Sequence, residues 1–137
     1  MSQPFSQSAR FASLGLVLIH FVISVVHGQA HQGAMVALTV FGNVYVLVVI
    51  TLAPLVAAVL LFTRRRKLGA LLLALSMCGS FIFGFWYHFL SSTNDNVAQV
   101  HGPWHSMFLL TAIALALIEL SGMFVGFRMY RLQLDSQ

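Results

Sequence analysis

Charge is what this chain lacks. Only 7% of its 137 residues are Asp, Glu, Lys or Arg, where a soluble domain carries about 25%. So few ionisable groups cannot cover a water-facing surface, which excludes an ordinary soluble domain. Acids are scarcest, three in all, and only Glu119 falls inside an apolar run. There is one cysteine, Cys78, so no intrachain disulfide can form and cysteine usage says nothing of redox compartment. Repeats, low-complexity segments and internal linkers are also missing, which leaves residues 1–137 as a single domain.

What fills the chain instead is hydrophobic, 59% of residues. A helix crossing the hydrocarbon needs about 20 mostly apolar residues, and four runs qualify, at about 11–28, 35–62, 68–90 and 103–127. The second is long enough to predict tilt or a bend at Pro54. Short connections predict an all-α, antiparallel four-helix membrane bundle. The exception is the connection around residues 91–102, whose Ser, Asn and Asp mark a solvated loop. A cleavable signal peptide is the rival for the first run, with Arg10 before it and Gly28-Gln29-Ala30 after it, but the run is long for one.

The net charge of +4 is not a nucleic-acid footprint, because the basic residues follow topology and not a face. Arg64, Arg65, Arg66 and Lys67 lie between the second and third runs, and Arg10, Arg128 and Arg131 at the outer ends of the first and last. The positive-inside rule puts both termini and this loop in the cytoplasm. The expected setting is the lipid bilayer of a bacterial inner membrane, alone, as a homo-oligomer or within a larger membrane complex.

Polar residues inside lipid are costly and face protein. Ser13, His20 and His27 are seven apart, as are His105, Ala112, Glu119 and Gly126, so each set shares a helix face. Ser76, Ser80, Gly84 and His88 form a third stripe four apart, small enough for close backbone approach. With a rise of about 1.5 Å per residue, His20 and Glu119 lie about 12–13 Å above the cytoplasmic ends of their runs. The two are expected to hydrogen-bond, either as a polar clip or as a proton-relay or quinone-contacting pair.

The remaining histidines, five of six, fall at the opposite ends of the runs: His27, His31, His88, His101 and His105. Imidazole suits Zn, Cu and Fe, and histidines four apart on a helix can share one ion. His27 and His31 have that spacing, as do His101 and His105. Gly28 is a candidate end of the first helix, and Pro103 a candidate first residue of the last. Met35 and Met107 would tilt the choice towards copper. An interfacial role beside Trp86, Tyr87 and Trp104 is the bland alternative. Haem b is the other cofactor considered, with His88 or His105 opposite His27 or His31 in a Phe-lined slot that includes Phe108.

His101-Gly-Pro-Trp-His105 resembles the HxxWH segment of the alkaline ceramidase superfamily of membrane zinc hydrolases. The match covers five residues, and that family has about seven spans. The resemblance implies His101 and His105 as zinc ligands, His27 or His88 as the third, and Asp95 or Ser92 in the acid and serine roles. Three function classes follow. The chain is a metal or haem protein of electron transfer or of metal and redox-enzyme handling, an accessory subunit of a respiratory or photosynthetic complex, or a lipid-directed zinc hydrolase.

Overall fold

The computed structural model of the chain describes residues 6–134; expectations about the chain ends, residues 1–5 and 135–137, lie outside them. No strand occurs among the described residues. Four helices are long and apolar enough to cross a membrane: α1 (Gln7–Gly33), α2 (Val40–Leu61), α3 (Arg66–Leu90) and α4 (His105–Leu134).

Capping sets the boundaries. Ser6 accepts the Ala9 N–H at 3.3 Å to open α1, and Thr39 accepts that of Gly42 at 3.0 Å to open α2. Each hydroxyl satisfies a backbone donor that the first turn leaves orphaned. α1 runs straight through Gly28, because a glycine inside a helix costs only about 1 kcal/mol, less than abandoning backbone hydrogen bonds in apolar surroundings. It stops at Met35, which takes a left-handed conformation with φ 56°. There the Val36 N–H bonds the His31 carbonyl at 2.9 Å and the Met35 N–H that of Gln32 at 3.1 Å. This is a Schellman turn built without the usual glycine.

α2 is irregular just before Pro54, with a π-helical stretch over Val46–Leu52. Proline has no N–H and its ring crowds the carbonyl four residues back, so the ladder slips and the Ala53 N–H reaches the Val48 carbonyl. A second π-helical turn, Trp86–Leu90, ends α3 and carries His88.

Packing divides the bundle into two halves. Towards the connection between α2 and α3, Val17, Ala57, Leu61, Ala70, Leu73, Met77 and Met129 form a continuous buried core. There α3 and α4 approach closely: a Cβ on Gly126 would lie 2.5 Å from the Ala74 nitrogen. α1 meets α2 mainly through the Ala53–Leu61 half of that helix; towards the other end, the Val40–Leu52 half leans on α3. The seam left between α1 and α2 leads to a cavity of about 390 Å³. The outward surfaces stay apolar, with Val22, Val59, Ile82, Leu110 and Phe124 all more than half exposed.

Candidate metal centre

The cavity ends against three imidazoles. His27 and His31 lie one turn apart on α1, and both reach inward because the helix passes Gly28 without stopping. His88 comes from the π-helical turn of α3, whose wider register is a frequent feature of functional sites. One ring nitrogen from each of the three lies within 4.8 Å of the others. His27 and His88 are the closest, Nε2 to Nε2 at 3.0 Å.

Every second ring nitrogen is engaged. The Thr111 hydroxyl donates to the Met107 carbonyl at 2.6 Å; with its hydrogen committed, it accepts from His27 Nδ1 at 2.7 Å. The Val36 carbonyl, folded back by the Schellman turn, accepts from His31 Nδ1 at 3.2 Å. The Asp95 carbonyl accepts from His88 Nδ1 at 3.0 Å. These partners assign the Nδ1–H tautomer to all three neutral rings. Three Nε2 lone pairs are thereby left with no donor among those partners. Metal-bound histidines are oriented in this way, the far N–H held by a carbonyl, hydroxyl or carboxylate.

Asp95 adds negative charge. Its Oδ1 lies 3.3 Å from His31 Nε2 and 3.2 Å from His88 Nδ1, yet it is buried without a hydrogen bond of acceptable geometry. The loop that carries it is exposed along most of its length, as its composition predicts, but turns Asp95 inward. Asn96 donates to the Ser91 carbonyl at 2.6 Å, and the Val97 N–H reaches back to the His88 carbonyl at 2.9 Å. With its polar groups satisfied internally, the loop packs down and Asp95 is only 6% exposed.

The wall behind the histidines is Phe108, fully buried, with its ring 4.8–5.3 Å from all three imidazoles, centroid to centroid. Gly33 leaves room for the Trp104 indole, which a Cβ there would strike. That contact ties the end of α1 to the start of α4.

The other two histidines are placed differently. His101 is exposed in the turn before α4, and His105 Nδ1 donates to the Val100 carbonyl at 2.7 Å. Neither belongs to the group of three. Gly102, at φ +89°, and Pro103 fall between them in a turn, so the four-residue spacing does not put them on one helix face. Deeper in the bundle, His20 Nε2 lies 3.2 Å from Glu119 Oε1, both almost wholly buried. Sequence reading overlooks Thr111, although Thr111, Leu115 and Glu119 sit four apart on one face of α4 and so carried a signal.

Four long apolar helices around a buried His27, His31 and His88 group define the class: an apolar helical bundle with a histidine site able to hold a metal ion. Comparisons of the chain with protein-family models, curated proteins and solved structures find no match.

Proposed function

We propose that this chain is an integral membrane protein that binds one transition-metal ion through His27, His31 and His88, with Asp95 beside it. The four helices cross the bilayer as an antiparallel bundle. Both ends and the Arg64–Lys67 loop lie in the cytoplasm, and the metal centre lies beneath the opposite face. The apolar outer surfaces support insertion, since a soluble monomer does not expose apolar patches on such a scale. The distribution of Lys and Arg supports the orientation.

The observation that carries the metal reading is the convergence of three imidazoles, each bringing one ring nitrogen within 4.8 Å of the others, with every Nδ1 tied to an acceptor. Left alone, electron pairs 3.0 Å apart on His27 and His88 repel; a cation between them reverses the sign. Two ligands of a tetrahedral ion with metal–nitrogen bonds of about 2.0–2.1 Å sit about 3.3 Å apart, close to that separation. The donor set suits Zn, Cu or Fe and not Ca or Mg. Haem b is disfavoured, because imidazoles packed at centroid separations of 4.7 Å and 5.6 Å leave no slot for a macrocycle.

All three histidines line the cavity, and so does Asp95. Three protein nitrogens with open space beside them is the form of a reactive site and not of a closed structural one. The proposed role is therefore metal-centred chemistry or electron transfer at the membrane.

Elemental analysis of the purified protein tests this. About one transition-metal ion per chain is expected, lost in His27→Ala, His31→Ala and His88→Ala but kept in His101→Ala and His105→Ala. Less than a tenth of an ion per chain after metal loading overturns the reading.

A further inference from the structure

The cavity extends well beyond what an ion and its water need. At about 390 Å³ it falls within the roughly 300–1,000 Å³ of small-molecule pockets, and a water takes up only about 30 Å³. Its walls are mostly apolar, with Val36, Leu38, Val46, Ile50, Phe83 and Leu115 among them. Its polar lining comes from Ser24, Gln32, Asn43, Asp95, Glu119 and the three histidines.

Glu119 is divided between two tasks. Oε1 is held by His20, and Oε2 is turned towards Gly84. A Cβ on Gly84 would lie 3.8 Å from Glu119 Oε2 and 3.9 Å from His88 Cδ2. The missing side chain thus leaves a gap that borders both the acid and His88 of the metal centre. A group in that gap meets an acceptor at Glu119 and a Lewis acid at the histidines. A hydroxyl satisfies both, offering an oxygen lone pair to the ion and a hydrogen to the carboxyl group. Anionic heads are disfavoured by Glu119 and Asp95, and cationic heads by the bound metal.

Access follows from the packing. The cavity is lined by α1 and by the Val40–Leu52 half of α2, elements that scarcely touch. On α2, Val44 and Leu47, next in the chain to the lining residues Asn43 and Val46, are apolar and about half exposed. In a bilayer such a seam faces acyl chains and not water.

We propose that the cavity takes a membrane-soluble molecule with one neutral hydroxyl head and a slender apolar tail, an alkylphenol or alcohol in type. It enters between α1 and α2 and directs its oxygen between the histidine centre and Glu119. The inference rests on the metal-centre reading and names the ligand class of that site.

The protein loaded with Co²⁺ in detergent provides the test, with 4-butylphenol as probe, butylbenzene lacking the hydroxyl, and azide as a water-borne ligand. Saturable change in the visible cobalt absorption is expected with 4-butylphenol and none with butylbenzene. Ile50→Trp and Val46→Trp, which fill the cavity, are expected to weaken the 4-butylphenol response tenfold or more at unchanged cobalt content. Two variants are used so that misfolding of one does not decide the outcome. A protein that takes up no cobalt overturns the metal centre itself, and this inference with it. Cobalt bound at one per chain but silent to 4-butylphenol, or responding only to azide, overturns the ligand class alone. A response undiminished in both tryptophan variants overturns the cavity as its site.

Discussion

His27 and His88, sixty-one positions apart in the chain, point their Nε2 atoms at each other across 3.0 Å, while Thr111 and the Asp95 carbonyl hold their other nitrogens. The contact joins α1 to α3 through groups that cannot both be satisfied by one another in their neutral forms. A shared cation would resolve the conflict, and the surroundings of each ring would set how strongly it is held.

Thr111 is the most direct handle. Thr111→Val keeps the shape of the side chain but removes the acceptor of His27 Nδ1–H, freeing the ring to turn or change tautomer. Loss of such an outer hydrogen bond costs about 10–100-fold in metal affinity. Chelator competition should show that loss, and Thr111→Ser should restore most of it. Equal affinity in Thr111→Val would mean that the hydroxyl does not orient the ligand.

Asp95→Asn should move two properties in opposite directions. An amide NH₂ at this place can donate to the His31 Nε2 lone pair that Oδ1 faces at 3.3 Å, so the metal-free protein gains thermal stability. The same change removes negative charge from beside the ion and weakens metal binding by tenfold or more. Thermal unfolding of the metal-free protein and chelator competition check the two halves separately.

Phe108 serves all three imidazoles as a common wall. Truncation of a fully buried phenylalanine to alanine costs about 3–5 kcal/mol, and here it also unseats the rings. Phe108→Ala should lose stability and metal together, whereas Phe108→Leu should keep the fold and lose part of the affinity. Circular dichroism melts alongside metal analysis distinguish these outcomes.

The turn at Met35 carries backbone strain with nothing packed over it. The side chain is 90% exposed and φ is 56°, a region that costs an L-residue about 1–2 kcal/mol. Met35→Gly relieves that strain, partly offset by greater freedom of the unfolded chain. A net gain of about 0.5–1 kcal/mol is expected in denaturant unfolding, with metal content unchanged.

Glycines at the two ends of the bundle should respond differently. Gly126→Ala drives a methyl group into the Ala74 backbone at 2.5 Å, and overpacking of this kind costs about 1–3 kcal/mol. Gly84→Ala meets its neighbours at 3.8 Å and 3.9 Å, ordinary contact distances, so the fold should survive. Melting temperatures of the two variants provide the comparison.

Helices and their inward faces were legible from residue order because both are local properties. Backbone hydrogen bonds in apolar surroundings close within the segment, and side-chain position follows from a period of 3.6 residues. Rise per residue alone puts His20 level with Glu119, and the structure has them 3.2 Å apart. The buried positions of Ser13, His20 and His27, and of Ser76, Ser80 and His88, follow stripes that can be counted along the chain.

Which histidines meet was not legible in this way. Five lie at one end by count, yet His27, His31 and His88 form the group while His105 turns to the Val100 carbonyl and His101 to the exterior. That choice depends on events between segments. A left-handed Met35 folds Val36 back over His31, a π-helical turn sets His88, and a loop of polar residues satisfies itself well enough to bury Asp95. Four apolar helices with few charges thus belong to the sequence by itself, since burial and backbone hydrogen bonding decide them one segment at a time. The site belongs to the tertiary structure, because three imidazoles converge only when turns and loops far apart in the chain have each taken one conformation.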